Sequence, residues 1–133
     1  MMLNKKIIIF RLINCVSPLI FAGLIYIFLR QNTYINNFIG YSPKNISSSF
    51  FIDFLRFYLV DAIWAYSLTF ALSFFLNEFL SGAISFAFGV LWELFQKSSI
   101  FSGTFDVFDI IMYFTASTLA VIIIYLTTKG EKT

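Results

Sequence analysis

The chain has 133 residues, 59% of them hydrophobic and only 12% charged, with a net charge of +2, whereas an average soluble domain is about 25% charged. Nineteen Phe residues would leave a soluble protein of this size with far too much apolar surface, and the charge is too small for a nucleic-acid partner to be expected. The chain has no His and a single Cys15, which excludes imidazole metal ligands, His-based general bases, a cysteine metal cluster and an intrachain disulfide.

About 20 consecutive apolar residues cross a bilayer as a helix, and four segments qualify or come close. The first covers residues 7–29. Lys5 and Lys6 precede it as in a signal peptide, but no small-residue cleavage site follows and the run is long for a signal core, so it reads as a span. Pro18 removes a donor from the carbonyl of Asn14 and predicts a kink. Residues 30–53 form the one extended loop, rich in Asn, Ser and Tyr. The second span is expected at 54–76 and the third, a short one, at 79–95. Only Asn77 and Glu78 separate them, which predicts a tight antiparallel hairpin. The fourth covers 107–126. The whole chain, 1–133, then forms one all-α domain, a polytopic bundle of four transmembrane helices.

With four spans both termini share one side. That side carries Lys5, Lys6, Arg11, Lys129 and Lys132, and the other carries Arg30, Lys44, Arg56 and Lys97. The terminal cations sit tightest against the apolar runs, which predicts a bacterial cytoplasmic membrane protein with both termini in the cytoplasm. Asp61, Glu93, Asp106 and Asp109 then all fall in the outer half of the membrane or at its surface.

These four acids, of seven in the chain, are the strongest indication of a site. A charge near the bilayer centre costs at least about 2.5 kcal/mol, so intramembrane acids face a bundle interior, a wet cavity or a partner. Each lies on, or next to, a stripe of small or polar residues four apart, which share one helix face. The second span has Asp61, Ala65, Thr69 and Ser73; the third has Ser81, Ser85, Gly89 and Glu93; the fourth has Asp109, Tyr113 and Ser117. Such stripes mark where membrane helices approach closely, so the acids at their outer ends are expected to converge. Simpler roles exist for each. Thr104 or Asp106 can cap the fourth helix and Asp109 can complement its dipole. Glu93 and Lys97 are spaced for an i, i+4 ion pair. Arg56, five residues before Asp61, is badly placed to pair with it, so Asp61 is expected to have an interhelical partner.

Glu93-x-x-Gln96, followed by Gly103-Thr104-Phe105-Asp106-x-x-Asp109 entering a membrane helix, resembles the signature of the VanZ-like family of small bacterial membrane proteins. In that family a Glu-x-x-Gln ends one helix and an Asp-x-x-Asp opens the next. The resemblance covers roughly the C-terminal third, and Asp61 with Trp64 fits one branch of the family. It implies about four spans and a polar site at these helix ends. Tyr113 and Ala116 depart from the Asn and Gly common in relatives, so no antibiotic-resistance role is carried over.

Three functional classes follow. The first is a protein that binds or remodels an envelope lipid, an anionic phospholipid or an isoprenoid phosphate. Arg56 and Lys97 would contact the phosphate, and a divalent Mg or Ca ion at Glu93, Asp106 and Asp109 is the candidate cofactor. Asp61, Trp64, Gln96 and Tyr113 complete the candidate ligand-binding set. The second is a structural subunit whose acids lock the helices or hold a membrane-protein partner. The third is an enzyme acting on a lipid phosphate through paired carboxylates.

Overall fold

The computed structural model describes residues 5–30, 34–41, 49–98 and 104–130. Four long helices dominate: α1 Lys5–Leu29, α3 Phe50–Leu72, α4 Glu78–Lys97 and α5 Val107–Lys129, with the short α2 Tyr34–Ile39 between the first two. All four long helices are sufficiently long and apolar to cross a bilayer, and no strand occurs among the described residues. The protein is an all-α, multi-pass membrane protein.

The largest departure from the sequence expectation is α3, which starts and ends four residues earlier than 54–76. Its start is set by Ser49, an extended residue whose Oγ accepts from Ile52 N at 3.3 Å, satisfying one of the donors a helix N-terminus leaves open. Its end is set by a turn over residues 73–77, wider than the two-residue link expected. Asn77 then caps α4, its Oδ1 accepting from Leu80 N at 2.9 Å. The turns Phe54–Leu59 wind as a π-helix, an insertion that leaves backbone groups seeking other partners. The carbonyl of Arg56 accepts from Arg30 Nε, at the end of α1, at 3.1 Å. The loop expected at 30–53 thus holds α2 and the first turn of α3. In α1 the helix runs on through Pro18.

α3 is the hub, packing against α1, α4 and α5, while α4 and α5 pack on each other and α1 meets only the edge of α5. The predicted stripes are the seams. Ala65, Thr69 and Ser73 of α3, Ser81, Ser85, Gly89 and Glu93 of α4, and Tyr113 and Ser117 of α5 are all buried. Ser85 Oγ donates to Ala65 O at 2.8 Å, and Ser117 Oγ donates to Ser85 Oγ at 3.4 Å. Interhelical hydrogen bonds in membranes average only about 0.6 kcal/mol, so close approach matters more than these bonds. A Cβ added at Gly89 would lie 2.5 Å from ring carbons of Tyr113, so the close approach of that ring leaves no room for a side chain there. α1 is held by Tyr66 Oη donating to Asn14 Oδ1 at 2.8 Å and by Phe10 against Phe70. Cys15 packs at the edge of the Phe70, Ala120 and Ile124 cluster, as a small apolar side chain.

Candidate functional site: an acid cluster beside a lipid-facing cavity

The three stripes carry the acids to one end of the bundle, where α1 and α4 finish and α5 begins. Asp61, Glu93 and Asp106 all lie within electrostatic reach of Asp109, and Asp61 and Glu93 of each other. The expected convergence is therefore present. It divides into two parts with different chemistry.

The first part is closed. Glu93 is 1% exposed, and both of its oxygens are used: Oε2 accepts from Asp106 N at 3.1 Å and Oε1 from Tyr113 Oη at 3.3 Å. Asp106 is the N-cap of α5, with Oδ1 accepting from Phe108 N and Oδ2 from Tyr58 Oη, each at 2.9 Å. An anion at a helix N-terminus is favoured by the unpaired amides and the helix dipole, so α5 explains both carboxylates. Gln96 does not bridge acids. With its amide oriented to suit its neighbours, its nitrogen donates to Thr104 O at 3.1 Å and its oxygen accepts from Trp92 Nε1 at 2.8 Å. It latches the end of α4 to the segment entering α5. Gly103 of the motif lies outside the described residues.

The second part is open. Asp61 sits in the middle of α3, away from any helix end, and no hydrogen bond or ion pair engages its carboxylate among the described residues. It lines a cavity of about 570 Å³ between α3 and α4. Trp64 forms the α3 wall; Phe88, Leu91, Trp92 and Phe95 form the α4 wall; Tyr113 of α5 closes the back. The four aromatic and one aliphatic wall side chains are each 40–54% exposed on membrane-crossing helices, so the cavity opens sideways toward lipid. Asp109 lies next to it in charge terms, and its Oδ1 is buried with no hydrogen-bond partner among the described residues. In a low-dielectric setting such an orphan is costly.

The cations are arranged differently from expectation. Arg56 pairs with Asp53 at 3.9 Å and stacks on Phe57, and its Nε and one terminal nitrogen are buried without a partner among the described residues. Lys97 lies over the Phe105 ring at 5.2 Å instead of pairing with Glu93. Neither lines the cavity. The cation that reaches the acids is Arg30, within electrostatic range of both Asp61 and Asp109 and placed over the rings of Tyr26 and Phe57. It is the interhelical counter-charge expected for Asp61. Its position at the C-terminal end of the first apolar run was the available signal. The divalent site suggested for Glu93, Asp106 and Asp109 is not formed: no group of three such acids is arranged to hold a metal among the described residues. Glu93 and Asp106 already spend their oxygens on protein donors.

Comparison with protein-family models, with curated proteins and with solved structures returns no match. The geometry of this end of the bundle carries the functional argument.

Proposed function

We propose that this is a VanZ-like protein of the bacterial cytoplasmic membrane that binds an envelope lipid by its head group at the acid end. The observation that supports the reading is the position of Asp61, an acid with no capping or hydrogen-bonding role among the described residues, in the lining of a cavity whose aromatic side chains are half-exposed on membrane-crossing helices. An intramembrane carboxylate is costly, and within the fold the nearby Arg30 is the one cation set against this one among the described residues. Mass spectrometry of lipid retained by the purified protein tests the reading. Wild-type protein should keep a phospholipid or isoprenoid phosphate through delipidating washes, and Asp61→Asn and Asp109→Asn should shed it with little change in melting temperature. Retention no better than that of an unrelated four-span protein would remove the reading.

The orientation belongs to the same proposal, with the termini in the cytoplasm and the cavity in the outer leaflet. All three arginines of the chain contact protein groups, Arg11 through Ser73 O and Thr128 Oγ1. Counting every cation, Lys5, Lys6, Arg11, Lys129 and Lys132 lie on the terminal side against Arg30, Lys44, Arg56 and Lys97, and the terminal group sits tighter against the apolar runs, as expected for cytoplasmic termini. In a Cys15→Ser background, Tyr41→Cys should react with an impermeant thiol reagent from outside and Gly130→Cys should not.

A second reading is supported by the Glu93, Asp106, Tyr58 and Tyr113 network, which is closed and joins three helices. It is the structural role of the cluster. On this division the closed half holds the helix ends in register, and the open half binds.

A further inference from the structure

Resting on the lipid-binding reading, we infer that the cavity takes the ammonium end of a lipid head group, a primary or quaternary amine, and not the phosphate. Charge decides it first. The groups within electrostatic reach of Asp109 are three carboxylates and one guanidinium, Arg30, so acids outnumber cations around the cavity, which does not favour an anionic head. The two cations expected to hold a phosphate, Arg56 and Lys97, do not line the cavity. Shape and chemistry decide it second. The lining offers one carboxylate, Asp61, together with Trp64, Trp92 and Phe95, residue types that attract ammonium groups through their ring electrons, Trp most strongly. A sugar head would need several donors and acceptors around it, whereas Tyr113 Oη and Trp92 Nε1 are already committed to Glu93 and Gln96.

Trp64 and Trp92 are the chain's two tryptophans, and both line the cavity, so intrinsic fluorescence reports its occupancy. The test reconstitutes the full chain in vesicles of digalactosyldiacylglycerol, a bilayer lipid with no ammonium group, that contain, at equal mole fractions, either dibrominated phosphatidylethanolamine or dibrominated phosphatidylglycerol as quencher. Wild-type protein should show roughly fivefold stronger association with the ethanolamine lipid, the scale of a partly desolvated cation held by aromatic faces and a carboxylate. Asp61→Asn should bring the two lipids together. Equal quenching, or a preference for the glycerol lipid, with either above random contact, overturns the ammonium assignment and leaves lipid binding standing. Quenching by both at the level of random contact overturns both. A preference for the ethanolamine lipid that survives unchanged in Asp61→Asn also overturns the assignment, because the charge at the base would then play no part.

Discussion

At the end of the bundle where Lys5 and Lys129 lie, Arg11 is 4% exposed, and its guanidinium donates to the carbonyl of Ser73 and to Thr128 Oγ1 at 3.2 Å. Those groups belong to the final turns of α3 and α5, and Glu78 in the first turn of α4 is within electrostatic reach. A cation at two helix C-termini is where the backbone dipoles favour it, although its Nε is buried without a hydrogen-bond partner among the described residues. At the other end, Glu93 and Asp106 are answered in the mirror sense by the N-terminus of α5, whereas Asp61 has only Arg30 near it and one oxygen of Asp109, though in the first turn of α5, has no hydrogen-bond partner among the described residues. The difference teaches how to sort intramembrane charges. A charge that a helix end already stabilises is accounted for by folding. One in mid-helix facing a cavity, with a cation near it but no hydrogen bond or helix end to hold it, is where binding should be sought.

The largest effect should come from breaking the closed half. Glu93→Ala takes the acceptor from both Asp106 N–H and the buried Tyr113 hydroxyl, and should destabilise the protein by about 3 kcal/mol, read as the shift in a detergent-unfolding midpoint. Glu93→Gln keeps one acceptor oxygen and should lose about 1 kcal/mol.

Next comes Gly89→Ala. Its Cβ would meet the Tyr113 ring at 2.5 Å, and overpacking of this kind costs about 2 kcal/mol. Because Tyr113 closes the back of the cavity, lipid retention should fall along with the melting temperature. A variant that melts lower while retaining lipid fully would show that the seam and the cavity are independent.

At the opposite end, Arg11→Lys keeps the charge but gives up the planar fork that reaches two helix ends, for a loss of about 1 kcal/mol. Lipid retention should be unchanged, since Arg11 does not line the cavity.

The smallest effect on stability, under about 0.5 kcal/mol, is expected for Asp61→Asn, together with the greatest effect on retained lipid. If its unfolding midpoint falls as far as that of Glu93→Ala, the contrast between charges used by the fold and charges left for a ligand does not hold.

Much of this was legible in the chain. The four spans follow from hydropathy because a bilayer imposes one length on every crossing helix. The stripes ending in Asp61, Glu93 and Asp109 follow from the helical repeat, and all three proved to be seams. Capping at Asp106 was visible because Asp favours that position. The start of α3 was missed because Ser49 lies in a polar stretch that reads as loop, and its cap is recognised only once the helix is seen.

Sequence alone thus determined the class, the number of spans and the faces that meet, because each depends on local periodicity and on the cost of polar groups in lipid. The tertiary structure alone decided which charges are answered and by what. Arg11 counted as a flanking cation until the ends of α3 and α5 were found around it. Arg30, not Arg56 or Lys97, is the cation near the acids, because the end of α1 lies beside the π-helical turn of α3. The cavity likewise has no local signature. Trp64 and Trp92 are 28 residues apart in the sequence, and they face one space only because the walls of α3 and α4 stand apart where α5 places Tyr113 between them.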